Sequence, residues 1–367
     1  MKLVAKVKLL HDPNQAAILR ETMITANRVC NYISDQAWEH KTFRQFPLHK
    51  LTYHDVRKKF PLTAQVVVRC ISKVADAYKR DTRTRRVFRL LGAITYDNRI
   101  LSYHLETSEV SIWTVAGRLR IPFACGERQR ELLKGQRGES DLVCINDQFY
   151  LFATCDVEEP EPANVEDVLG VDLGIVNLAS DSDGENFSGD MVERNRRKYE
   201  HRRRNLQRKG TKSAKRKLKK LSGRQARFQT YVNHVISKRL VQKAQGTGRA
   251  IALEDLKGIR DRVTVRRKQR SKHSNWSFFQ LRNFIEYKAK RAGVPVILVD
   301  PKNTSRTCPV CGCIDKNNRK TQAFFSCVSC GYSAAADTVA ARNIRARAVV
   351  NLPMVSNLTG SGTSCRL

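Results

Sequence analysis

The chain has 367 residues, room for more than one packed core, and its Lys and Arg outnumber Asp and Glu by 68 to 35, a formal charge of +33. Self-repulsion on that scale calls for a polyanionic partner, with nucleic acid the first candidate. A membrane is excluded as that partner, because the sequence holds no apolar run long enough to span a bilayer and no basic amphipathic helix at either terminus.

The start alternates Leu3, Ala5, Val7 and Leu9 with Lys2, Lys6 and Lys8, which predicts a strand and not a signal peptide, so a cytoplasmic location is expected. Asp12-Pro13 then reads as a helix cap followed by Pro at the first helical position, and Leu19, Met23, Ala26, Val29, Cys30 and Ile33 keep an apolar face to about His40. A second helix is predicted over 63–79, on Val66, Val67, Cys70, Ile71 and Val74. The period then changes. Segments 93–105, 110–121 and 142–157 are rich in Ile, Val, Tyr and Phe and are separated by turn residues such as Asp97-Asn98 and Gly117-Arg118. Together they predict a small β-barrel over 1–160 with a helical insertion at about 12–80. The acidic, Pro-rich stretch EEPEPANVED, 158–167, suits an extended linker and places a domain boundary.

From Val168 onward three carboxylates stand out. VLGVDLGIVNLASD is an apolar strand that ends in Asp172 and turns into a second strand; RAIALED is another, ending in Glu254-Asp255; and Asp337 opens a helix whose packed face is Ala340, Ala341, Ile344 and Ala348. Taken singly, Asp172 also reads as an Asp satisfied by turn amides, and Asp337 as a plain helix cap. As a set, brought together by neighbouring strands, they fit phosphodiester hydrolysis with two Mg²⁺ or Mn²⁺ ions about 3.5–4 Å apart, because hard oxygen ligands suit those ions.

Between the first two acids, residues 194–224 are basic at about half of all positions, with only Tyr199, Leu206, Leu218 and Leu221 as an apolar stripe. So thin a stripe barely holds a helical pair by packing, which makes phosphate contacts the expected role of Arg196, Arg197, Arg203, Arg204, Arg208, Lys209, Arg216 and Lys217. A second basic stretch, 258–276, adds Arg266, Arg267, Lys268 and Arg270 next to the second acid. Trp276, Phe278 and Phe279 follow at a helical spacing that favours core packing over base stacking. Cys308-Pro-Val-Cys311 and Cys327-Val-Ser-Cys330 are two Cys-x-x-Cys pairs, each followed by Gly, and predict one closed, structural Zn²⁺ site; Cys313 is a bystander. The other cysteines stand singly in apolar contexts, as in a reducing compartment. Residues 351–367 are polar and rich in Gly and Ser, and read as a disordered tail.

The strings GVDLGIVNLA, ALEDLKGI, WSFFQLRNFIEYKAKRAGVPVILVDPKNTSRTCPVCG and DTVAARNI, in order over about 168–344, closely resemble the RuvC motifs and zinc ribbon of TnpB. TnpB is the RNA-guided nuclease family of bacterial insertion sequences, related to type V CRISPR effectors. The resemblance implies an RNase H-like (RuvC) domain over 168–350 with a zinc ribbon inserted at 304–334. It also implies a wedge-like role for 1–160, and Asp172, Glu254 and Asp337 as the catalytic acids and Mg²⁺ ligands. The implied partners are a guide RNA, one protein to each RNA, and double-stranded DNA cut next to a short flanking motif. Two positions depart from the family pattern: Val339, where Asn is usual, and the run Ala334-Ala335-Ala336, where polar residues are common. Two other readings fit the same residues, a nuclease-impaired RNA-guided DNA-binding regulator and a guide-free transposase or resolvase of the same core fold.

Overall fold

The alternation at the start of the chain folds as a strand, β1 (Lys2–Leu9), which buries Ala5, Val7 and Leu9 and exposes its three lysines. The structure is a computed structural model that describes residues 1–256 and 277–350. Two compact units divide the chain, Met1–Glu158 and Glu159–Leu367.

In the first unit β1 runs into α1 (Pro13–Glu39). The Asp12 carboxylate accepts from the Gln15 amide at 2.7 Å, and the Gln15 side chain accepts from the Asp12 amide at 3.1 Å, so the cap is reciprocal. The apolar face of α1 packs on α3 (Ala64–Arg80) through Ala26, Cys30, Val67, Cys70 and Ile71. Between them lies α2 (Gln45–Lys59), a helix the sequence reading did not anticipate. Six strands follow, β2 (Ile94–Tyr96), β3 (Leu101–His104), β4 (Glu109–Thr114), β5 (Gly117–Ala124), β6 (Gln136–Ile145) and β7 (Gln148–Asp156), with a short α4 (Glu127–Lys134) before β6, and with β1 they make one seven-stranded sheet. Their order is β2-β6-β7-β1-β5-β4-β3, antiparallel throughout. The sheet is nearly closed. Side chains from its two ends meet inside it, the Tyr103 hydroxyl donating to Ser140 Oγ at 3.1 Å and the Tyr96 hydroxyl to the Trp113 carbonyl at 3.0 Å.

The second unit is built on a five-stranded sheet of order β10-β9-β8-β11-β12. Its strands are β8 (Val168–Asp172), β9 (Asn177–Asp181), β10 (Asn186–Ser188), β11 (Ala250–Glu254) and β12 (Val296–Val299). The first three form an antiparallel meander, and β11 and β12 run parallel to β8. Alternation sorts the central strands between two sides. Leu169 and Val171, with Ile251 and Leu253, pack against α6 (Lys212–Gly246) and α7 (Phe278–Arg291). Val168, Ala250 and Ala252 pack against the other side, on Ile344 and Ala348 of α8 (Ala336–Val350). Burial on both faces explains why β8 and β11 read as unbroken apolar runs up to their last residue. Gly170 lies under α8 with its backbone against the helix: any Cβ there would overlap the Ala341 carbonyl and the Arg345 amide.

Ahead of α6, α5 (Asp190–Lys209) completes a long helical hairpin and buries no residue fully, as its thin apolar stripe implied. Its C-terminus closes at Gly210, where φ is 63°. A two-stranded ribbon, β13 (Phe324–Ser326) and β14 (Ser333–Ala335), precedes α8. Among the described residues no helix is long and apolar enough to cross a membrane.

Candidate functional site

The same alternation aims the acids. Asp172 and Glu254 each close a strand, and the register that sets Leu253 beside Val171 brings those two ends together. By parity both belong to the side of the sheet that α8 covers, and Asp337 sits in the first turn of α8. Asp255, adjacent to Glu254, falls on the opposite side and is tied to Arg282 at 2.8 Å.

Burial, then the charges of Glu254 and Asp337, push the Asp172 carboxyl up to about 8, against a smaller lowering by Arg319. Burial also raises Glu254, partly offset by the hydroxyl of Thr304, which donates to its Oε1. Neither Asp172 nor Glu254 has an ion pair among the described residues. Asp337 is held from two directions, by Asn177 Nδ2 at 2.9 Å and by Arg319 at 3.5 Å. A half-buried carboxylate with acid neighbours and no ion pair of its own is the arrangement that a hard divalent cation relieves, so these donors fit Mg²⁺ or Mn²⁺.

The residues that position the acids carried no signal in the sequence reading. Asn343 Nδ2 donates to the Thr304 and Thr307 carbonyls, both at 2.7 Å, and so ties α8 to the segment whose Thr304 hydroxyl reaches Glu254. Thr304 and Asn343 lie inside the strings that resemble TnpB, yet nothing in their spacing announces a role.

The four cysteines predicted as zinc ligands come together, with sulfur atoms all within 4.8 Å; among the described residues this is the one cluster of His, Cys, Asp or Glu ligand atoms drawn that close. Gly312 and Gly331, both at φ 73°, make the tight turns behind each pair. The amides of Cys330 and Ser329 point at the Cys327 sulfur and lower its thiol to about 6, which favours the thiolate a metal needs. Asn318 is buried between the two turns, donating to the Arg306 and Cys313 carbonyls and accepting from the Val328 amide. Cys313 stands outside the cluster. Val339, one of the two departures from pattern, is fully buried against Cys308, Phe325 and Cys327. The other, Ala334-Ala335, is the ribbon strand β14, and Ala336 begins α8. Val339, Ala334 and Ala336 pack beside the cysteines, while Ala335 is exposed.

The basic candidates divide. Arg196 is turned inward onto Glu193 at 2.7 Å and Glu200 at 2.8 Å, while Arg197 and Arg204 make weaker pairs with the same two acids. Arg203 donates to Gln225. Arg208, Lys209 and Arg216 are exposed, and Lys217 lines an open cleft of 420 Å³ with Arg202, Lys220 and Arg224, a group the sequence reading did not single out. No acid lines that cleft. Phe278 packs in the core as predicted, but Phe279 is 63 % exposed, because the first turn of α7 presents only one of two adjacent rings to the sheet. Arg266, Arg267, Lys268, Arg270 and Trp276 in the stretch 258–276, and the tail 351–367, lie outside the described residues.

Comparison with known proteins follows this geometry. Residues 152–260 match the family model described as "Probable transposase", and residues 278–344 match "Cas12f1-like, TNB domain". TnpB-like protein MJ0751 of Methanocaldococcus jannaschii is 33% identical over 196 residues, which cover 50% of this chain and 69% of that protein. The chain belongs to the TnpB family. This TnpB-family chain is also 34% identical over 236 residues to the CRISPR-associated endodeoxyribonuclease Cas12f1 of Sulfoacidibacillus thermotolerans, covering 58% of the chain and 54% of the relative. It thus spans about half the length of that relative. Its fold resembles the one solved in a Cas12f1-sgRNA-target DNA complex, with TM-score 0.63 and 16% identity over 91% of this chain and 83% of that one.

Proposed function

We propose that the chain is an RNA-guided DNA endonuclease that cuts both strands of a matching duplex, next to a short flanking motif, at one site made of Asp172, Glu254 and Asp337. The observation that carries this is the placement of the three acids. Two end adjacent parallel strands, the third opens the helix packed over them, and Asp172 has two acid neighbours and no ion pair of its own among the described residues. An antiparallel meander followed by two parallel strands supports an RNase H-like, RuvC-type domain over about 168–350, and the cysteine cluster supports a zinc ribbon at 304–334 that folds on one Zn²⁺.

Two Mg²⁺ ions held by these carboxylates would activate the attacking water and stabilise the departing oxygen. The chain's own part is to fix the acids. Thr304 holds Glu254, Asn177 and Arg319 hold Asp337, and Gly170 lets α8 lie close enough to bring Asp337 to the strand ends. The relatives' printed names and the charge of +33 support nucleic acid as the partner, with a guide RNA reading the target and the first unit, 1–160, acting as a wedge-like reader of shape and flanking motif.

The test is to purify the full chain expressed with its flanking DNA, sequence the RNA that accompanies it, and offer a plasmid matching that RNA in Mg²⁺. A bound RNA of defined sequence and linearised plasmid are expected. Guided binding without cutting would support the nuclease-impaired regulator, and cutting without a defined RNA the guide-free enzyme; either result overturns this reading.

A further inference from the structure

The first unit holds an open pocket of 560 Å³, separate in the chain from every residue of the carboxylate site. It forms where α1 turns into α2, beside the end of α3. Its wall is aromatic: Phe43 leans on Tyr78 with ring centroids 4.6 Å apart, and Trp38 stands behind Phe43 at 6.4 Å. Its rim is cationic: Lys41, Arg44 and Lys79 line it, and no acid does. Neither Lys41 nor Arg44 has an ion pair among the described residues, and Lys79 has only an exposed one with Asp76.

The pocket is rigid where it is aromatic. Tyr78 is buried, with its hydroxyl 2.9 Å from Ser34 Oγ and accepting from the Arg86 amide at 3.2 Å. The turn at the rim is the C-terminal cap of α1, with Lys41 in the left-handed region at φ 50°. Two contacts keep it there, the Lys41 ammonium over the Trp38 ring at 3.9 Å and the Thr42 amide on the Ala37 carbonyl at 3.0 Å. Phe46, between the lining residues Gln45 and Pro47, is 82 % exposed.

We propose that this pocket seats one unstacked nucleotide of the nucleic-acid partner, with its base against Phe43 and its phosphate on Lys41 and Arg44. An aromatic wall beside cations with no acid in the pocket suits a ligand that is both planar and anionic, and a nucleic acid supplies the two together. The proposal rests on the nucleic-acid reading of the whole chain and goes beyond it, because a cutting site needs no base pocket in another unit.

Full-length protein bound to single-stranded RNA and DNA oligonucleotides carrying one 4-thio-substituted pyrimidine would be photocrosslinked and the crosslinked peptides mapped. Crosslinks within the turn that carries Lys41, Phe43 and Phe46 are expected. In equilibrium binding, K41A/R44A should weaken affinity about tenfold and lower the salt slope by about one. F43L, which keeps the volume but removes the ring, should weaken it about fivefold with the slope unchanged. F46A, at an exposed position that folding does not need, should weaken it in the same sense, and R128A/R137A elsewhere on the unit serves as the charge-matched control. Crosslinks found only elsewhere, or K41A/R44A behaving like the control, would overturn the pocket while leaving guided cleavage standing. Loss with K41A/R44A but none with F43L or F46A would also overturn it, since it would show a phosphate contact without a seated base. A chain that binds no oligonucleotide would overturn both readings.

Discussion

Asp172 and Asp181 occupy neighbouring rungs of one hairpin, the first paired with Ser180 and the second with Val171, yet they meet opposite fates. Asp181 is fully buried and has its own cation, Lys243, at 2.5 Å, and its other oxygen accepts from the Asp183 and Glu185 amides. Asp172 has acids where Asp181 has a lysine. Its carboxyl, raised to about 8 by burial and then by Glu254 and Asp337, therefore keeps a proton at neutral pH that the unfolded chain releases near pH 4. Stability of the magnesium-free fold should then fall as pH rises from about 4 to 8, because the unfolded chain binds fewer protons across that window. Magnesium has to displace the same proton, so its affinity should rise up to about pH 8 and level off above. Asp172→Asn should raise the midpoint of thermal unfolding at neutral pH, with zinc left in place, and abolish cutting; a lower midpoint would mean that Asp172 is held by partners and is not the strained ligand. Thr304→Val should weaken Mn²⁺ binding by about 10- to 100-fold, as removal of a bond that orients a metal ligand does, while titration calorimetry showing unchanged affinity would leave Thr304 a purely structural residue. The acids were legible in the sequence because each closes or opens an apolar run. Thr304, Asn343, Asn177 and Arg319 were not, because a single hydrogen bond across the fold leaves no period behind.

Elements were legible where a full stripe of apolar residues is buried. α1 and α3 have such stripes and were found nearly to the residue, with the Asp12 cap marking the start of the first. α2 escaped because it buries one residue per turn, Leu48, Thr52 and Val56, among His, Lys and Arg, with Pro47 in its first turn. Phe279 was misplaced for a related reason: helical spacing says that a face exists, not which of two adjacent rings is on it. The feature on which the site most depends, the close approach of α8 to β8, rests on one glycine whose role emerges only when the two elements are seen together. Gly170→Ala should destabilise the second unit by about 3 kcal/mol or more, since the added carbon meets backbone that cannot move aside without shifting the helix that carries Asp337. Urea unfolding checks this, and a change under about 0.5 kcal/mol, the range of a neutral surface substitution, would show that α8 is not packed as described.

For the molecule as a whole, charge pointed to nucleic acid and pattern to a small β-barrel over 1–160, which folds as a nearly closed antiparallel sheet, while the mixed sheet under helices was implied by the resemblance to TnpB. What the residues could not show by themselves was that acids far apart in the chain come to one side of one sheet. Strand alternation and register supply that, by turning Asp172 and Glu254 to the side covered by the helix of Asp337. One shared site implies one fate for both strands of a target. The decisive measurement is therefore cleavage, in Mg²⁺ and with the co-purified RNA, of a matching duplex whose two strands carry different end labels, by the natural chain and by Asp172→Ala. The natural chain should cut both strands and the variant neither, while still binding the RNA and the duplex. A variant that still nicks one strand would contradict a single carboxylate site, and with it the division of labour between the acids that cut and the RNA that chooses.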